Sequence, residues 1–118
     1  MLDALHFSPD KQPHSLSGLR DAYQTFLGEQ SEPESDVAAQ NHFRGMDYVL
    51  GILIEFCNKR ILQQPLIQRA ALLQEYRTFL PELLFSWQNN RWQDDYDRGR
   101  IETMTLVIEH LKEVNDFH

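Results

Sequence analysis

Cysteine is nearly absent from this chain: Cys57 is the single one in 118 residues. No internal disulfide can form, so the fold must hold by packing, and a reducing, cytoplasmic setting is expected. Long apolar runs are missing too. The longest, Tyr48 to Phe56, contains Glu55 and is about half the length a membrane span needs, and no basic-then-apolar leader pattern is present. Glycine and proline are scarce, five of each, and lie mostly outside the apolar runs, which suits helices joined by short loops better than a strand-and-turn fold. Cations are outnumbered, 11 Lys and Arg against 18 Asp and Glu for a net charge of −7. That balance disfavours direct nucleic-acid binding, because neutralising phosphates needs clustered Lys and Arg. Gly-rich phosphate loops, Cys-x-x-Cys pairs and Gly-x-Ser-x-Gly elbows are all lacking, so neither an enzyme nor a bound cofactor is expected.

What the chain does contain is an internal echo. Arg44-Gly45 leads into Leu50, Ile52, Leu53, Ile54, Glu55 and Cys57, and Arg98-Gly99 leads into Met104, Leu106, Val107, Ile108, Glu109 and Leu111 without a gap. The match continues upstream at the same offset, pairing Leu19 with Leu73, Asp21 with Glu75 and Phe26 with Leu80. Either one helical packing unit has been used twice, or two helices share residue types by coincidence.

At this length the chain is one modest domain. Residues 1–15, with Pro9 and Pro13, read as an irregular N-terminal arm, and 16–118 as a single helical domain. The spacing predicts a first helix capped by Ser15 or Ser17, with Leu16, Leu19, Ala22, Tyr23 and Phe26 on one face and Gly28 as its stop. A second helix is signalled at Ser31, with Pro33 in its first turn and Glu34 closing a capping box. Its stripe Phe43, Met46, Leu50, Leu53 and Cys57 is widened by Val49, Ile52 and Phe56, so more than one neighbour is expected. Gly45 and Gly51 weaken this helix by about 1 kcal/mol each relative to Ala, which suggests close approach of another backbone.

Pro65 can open a third helix, and Pro81 predicts a kink or fresh turn before Trp87. The last helix is expected from between Trp92 and Asp95 to near Glu113, with a seam of Ile101, Met104, Ile108 and Leu111. Two four-residue ion-pair steps lie along it, Asp94 to Arg98 and Arg98 to Glu102. The expected fold class is therefore all-α: an antiparallel bundle of about four helices, arranged as two helical hairpins.

Candidate chemistry is thin. His110 and Glu113 are spaced as half of a bundle metal site, but the echo replaces them with Phe56 and Lys59, so no metal site is expected and both read as solvated groups at a helix end. His42 with Asp47, or Cys57 with a histidine, lacks the framing that nucleophilic catalysis requires. A binding surface is the better reading. Phe85, Trp87, Trp92 and Tyr96 gather around the polar hinge Gln88 to Arg91, with Arg91, Arg98 and Arg100 beside them, and aromatic and arginine side chains are enriched at interface centres. The candidate partner-binding residues are Phe7, Trp87, Arg91, Trp92, Tyr96 and Arg98, with the alternative that the tryptophans close the bundle's own core.

The string His42-Phe43-Arg44-Gly45 leading into Tyr48, Val49, Leu50 and Leu53 resembles small helical proteins of tailed bacteriophages, in which an aromatic-Arg-Gly step opens an apolar helix. The resemblance implies a non-enzymatic phage protein, part of a virion or its assembly, in the host cytoplasm or the particle. With the two-sided helices it leads to the expectation of an interaction or assembly protein, homo-oligomeric or docked on a larger structure. The alternative is a small acidic inhibitor of a host nuclease, defence or nucleic-acid-binding protein, presenting Glu29, Glu32, Glu34 and Asp36 to a basic site.

Overall fold

A computed structural model describes residues 9, 13, 15–34, 36–63, 69–89 and 93–114. The chain is an antiparallel bundle of four helices, α1 (Leu16–Gly28), α2 (Val37–Gln63), α3 (Arg69–Gln88) and α4 (Asp95–Glu113), with no strand among the described residues. α1 packs along α2, α3 packs along α4, and the most extensive contact joins α2 to α4. Two hairpins thus meet through the second helix of each. Among the described residues no helix is long and apolar enough to cross a membrane.

α1 forms as its sequence predicts. The Ser15 hydroxyl accepts from the Gly18 N–H at 3.0 Å, satisfying one of the donors a helix start leaves open. Leu16, Leu19, Ala22, Tyr23 and Phe26 are all buried. α4 begins just as legibly: Asp94 caps it and Asp97 returns to the cap as a capping box. α2, by contrast, starts at Val37 and not near Ser31. Asp36 takes the capping role, its Oδ1 accepting from the Ala38 N–H at 3.0 Å, while Glu32 is drawn sideways to Arg44 at 3.5 Å.

Two further expectations change. α3 runs unbroken through Pro81, which lies exposed; a first described residue of Arg69 leaves the expected start at Pro65 outside the described residues. On α4 the buried face is Gly99, Thr103, Met104, Val107, His110 and Leu111, with Ile101 and Ile108 only partly covered. The face is rotated from the heptad seam because the crossing at Gly99 decides which side meets α2.

That crossing is the centre of the fold. A Cβ on Gly45 would collide with the Tyr96 carbonyl and stand 2.8 Å from the Arg100 nitrogen, and a Cβ on Gly99 would collide with the His42 carbonyl and stand 2.9 Å from its carbon. Each glycine therefore lies on the backbone three residues before the other glycine. The contacts are reciprocal, as an approximate two-fold axis between Gly45 and Gly99 requires. Burial follows the same rule: Val49 and Thr103, Leu50 and Met104, Leu53 and Val107, Cys57 and Leu111 are buried pairwise, and so are Leu19 and Leu73, Ala22 and Tyr76, Phe26 and Leu80. Gly51 is different, being exposed with nothing within 4 Å of an added Cβ.

Polar groups tie the flanking helices to the central pair. The Tyr23 hydroxyl on α1 and His110 Nδ1 on α4 are 3.0 Å apart and buried. Arg77 on α3 donates from Nε to the Leu111 carbonyl at 2.9 Å and from Nη2 to the Val114 carbonyl, holding the negative end of the α4 dipole. His110 is thus a core group rather than a solvated one at a helix end. Within the N-terminal arm Pro9 and Pro13 are buried, and Pro13 lies close to Gly18 on α1.

Candidate interaction site

The glycine crossing places two residue pairs on its flanks. On one side His42 Nε2 meets Glu102 Oε2 at 2.7 Å. Under the exchange that swaps Gly45 with Gly99, this pair becomes Tyr96 with Tyr48, and those rings meet edge-on with centroids 6.1 Å apart. The close backbone approach therefore sets a histidine–carboxylate hydrogen bond on one flank and an aromatic pair on the other.

Trp87, arriving from the C-terminal end of α3, extends the aromatic flank, its ring 6.3 Å from that of Tyr48. The three rings surround the guanidinium of Arg100, whose carbon lies 4.7 Å from the Trp87 centroid, 5.3 Å from Tyr96 and 5.6 Å from Tyr48. Ring quadrupoles attract the cation, and Asp97 neutralises it at 2.8 Å. Arg100 Nε is buried without a hydrogen-bond partner, so this guanidinium is held by ring faces and one carboxylate. Burial raises the Tyr96 hydroxyl pKa, with Arg100 opposing, so its phenol stays neutral. Such a group can bind and stack.

From this cluster an aromatic seam runs along α2 and α3. These helices are not among the closely packed pairs of the bundle. Beyond Tyr48 and Trp87 come Phe56 and Phe79, edge-on at 6.3 Å, and then the Arg60–Glu75 ion pair. Between them opens a cleft of about 410 Å³ lined by Phe56, Lys59, Arg60, Glu75, Tyr76 and Phe79. Phe79 is 43% exposed, Tyr48 42% and, on α3, Phe85 64%.

Of the residues singled out from sequence, the fold brings Trp87 and Tyr96 together. Arg98 is turned outward toward Asp95 at 3.9 Å, and the expected steps to Asp94 and Glu102 are replaced by Asp95 and by the His42–Glu102 pair. Phe7, Arg91 and Trp92 lie outside the described residues. Sequence reading missed Tyr48 and the central place of Arg100. The signal was present in the echo: Tyr48 is the counterpart of Glu102, and Tyr96 that of His42, so a polar pair on one flank implied a facing pair on the other.

No protein-family model, curated protein or solved structure matches the chain. The geometry alone carries the functional reading.

The buried Cys57 thiol is pushed up to about 12 by desolvation, which removes the thiolate a nucleophile needs. Among the described residues no group of three His, Cys, Asp or Glu side chains is placed to hold a metal ion. His42 faces Glu102 and not Asp47.

Proposed function

We propose that the chain is a non-catalytic protein-interaction module whose contact face is the aromatic side formed by α2 and α3, working as a homo-oligomer or docked on a larger assembly. The observation that carries this reading is that two aromatic groups, the Arg100 cluster and the Phe56–Phe79 pair, lie on the same α2/α3 side of the bundle with Tyr48, Phe79 and Phe85 exposed. Aromatic and arginine side chains that are rigid before binding supply contact area at low entropic cost. The resemblance to small helical phage proteins extends the proposal to a virion or virion-assembly role.

Sedimentation velocity over a concentration series, with binding of the dye ANS in parallel, tests the reading. The chain should self-associate or bind the dye, and Phe79→Ser with Phe85→Ser should abolish both. A monomer at every concentration that binds no dye overturns it.

A further inference from the structure

Opposite its core face, α2 carries a stripe that recurs at alternating steps of four and three from Val37 to Leu62, and none of its members is buried. Such spacing is the seam of a paired helix. Its two ends, Val37 and Leu62, are the most exposed large apolar side chains among the described residues, at 69% and 83%. Inward of them stand Asn41 and Asn58, then Arg44 and Glu55, and at the middle Tyr48 and Gly51. The stripe is therefore complementary to its own reverse: apolar to apolar, amide to amide, cation to anion, ring to bare backbone. Gly51 has no use inside the molecule, since nothing lies within 4 Å of an added Cβ, yet a mid-helix glycine costs about 1 kcal/mol relative to alanine. On α4 the corresponding Arg98 and Glu109 are paired within their own helix, to Asp95 and Lys112, and Glu102 and Thr105 stand in place of Tyr48 and Gly51. The α2 charges are freer. Glu55 meets no cation among the described residues, and the Arg44 contact with Glu32 at 3.5 Å joins two exposed side chains, a kind of pair worth little in water.

We propose that two copies of the chain pair antiparallel through this stripe, about a two-fold axis midway between Tyr48 and Gly51. One register then satisfies every pair at once, each made twice: 48 with 51, 44 with 55, 41 with 58 and 37 with 62. The Tyr48 ring, already ordered by Trp87 and Tyr96, lies over the partner's Gly51, where no Cβ holds the helices apart. Asn58 Oδ1 accepts from Arg20 at 3.1 Å, which leaves its amide N–H groups to donate to the partner's Asn41. Paired asparagines of this kind fix the register of a helix seam. A parallel arrangement would set Arg44 on the partner's Arg44 and Glu55 on the partner's Glu55, so charge selects the antiparallel one. The contact runs about 38 Å along α2. The inference rests on the homo-oligomeric form of the proposed reading, and because Tyr48 belongs to both the stripe and the Arg100 cluster, the pairing is continuous with the aromatic face.

Sedimentation velocity of the full chain over about 5–500 µM tests the pairing, and a dimer with Kd of about 10–300 µM is expected. Arg44→Glu and Glu55→Arg should each weaken it at least about tenfold, since each sets two like-charge contacts across the axis. Mixing these two variants should restore pairing as a heterodimer, and so should both changes in one chain. Gly51→Gln, which fills the seat of the ring, should weaken the dimer at least about tenfold while raising the Tm of the dilute chain, which separates loss of pairing from loss of fold. Arg98→Glu, the same charge change on α4, should leave the dimer unchanged. A monomer throughout the range, a dimer indifferent to the stripe variants, or a double variant that stays monomeric overturns the proposal. Association abolished by Phe79→Ser with Phe85→Ser yet indifferent to the stripe variants, or dye binding by a chain that stays monomeric, also overturns it and leaves the broader interaction reading standing.

Discussion

The α1–α2 and α3–α4 hairpins bury the same positions and expose different ones. Where the two halves face each other, Gly45 and Gly99, Leu50 and Met104, Leu53 and Val107 are buried in matched pairs; where they face outward, Thr25 stands against Phe79 and Lys59 against Glu113. Packing around one crossing constrains the inner set, because any added volume must be absorbed by a neighbouring backbone. The outer set carries no such constraint. The difference therefore isolates the part of the molecule free to serve a partner.

The sharpest way to break the equivalence is at its centre. Gly45→Ala and Gly99→Ala should each cost about 3 kcal/mol or more, since the obstructing atoms are backbone and cannot swing away; circular dichroism should show loss of the folded state or a large fall in Tm. Equal losses at the two sites would support the two-fold relation, and a mild effect at one of them would end it.

Alkaline pH acts next, and unequally on the halves. Burial raises the Cys57 thiol to about 12 and raises Tyr23 and Tyr76 above the usual phenol range. With folded pKa values above unfolded ones, the contribution is complete below about pH 9 and is lost as pH rises toward 12, because the unfolded chain sheds its protons first. The slope approaches about 1.4 kcal/mol per pH unit for each such group. Denaturant titrations from pH 8 to 11 should show this decline, with Cys57→Val removing its earliest part; a flat profile would contradict it.

A smaller effect separates His110 from its counterpart Phe56. Tyr23→Phe should cost about 1–3 kcal/mol by leaving a buried ring nitrogen without the hydroxyl. The double change Tyr23→Phe with His110→Phe should cost less than the two single changes together, since the other half already fills this place with phenylalanine; a double-mutant cycle by urea unfolding checks it. Smallest are two gains. Thr103, whose buried hydroxyl has no partner, corresponds to Val49, and Thr103→Val should stabilise by about 1 kcal/mol. Gly51→Ala, at an open helical site, should do the same, and a loss at either position would refute its rationale.

Much of this fold was legible because its signals are local. Five buried residues of α1 follow one helical stripe, and Asp94 with Asp97 announces a helix start in four letters. The start of α2 was misread because Ser31 and Asp36 are both competent caps, and it is Asp36 whose carboxylate accepts from the Ala38 N–H. Pro81 was misread for a related reason: a proline forbids one backbone bond, and whether a helix continues past it depends on packing against α4. The rotation of α4 was set by a contact with α2 that its own sequence does not contain. The site was half visible, since Trp87 and Tyr96 are close in sequence, whereas Tyr48 joins them only once the glycines have met.

The glycine crossing also sets an order of events. Each hairpin closes over a short connection, but Gly45 and Gly99 are 54 residues apart, and bringing them together demands a much larger loss of chain freedom before any contact rewards it. The hairpins are therefore expected to form early and to wait on their mutual docking. Substitutions at the crossing should slow refolding, whereas substitutions at Phe79 or Lys59 should leave its rate unchanged: the chain assembles before the surface it offers to a partner has any part to play.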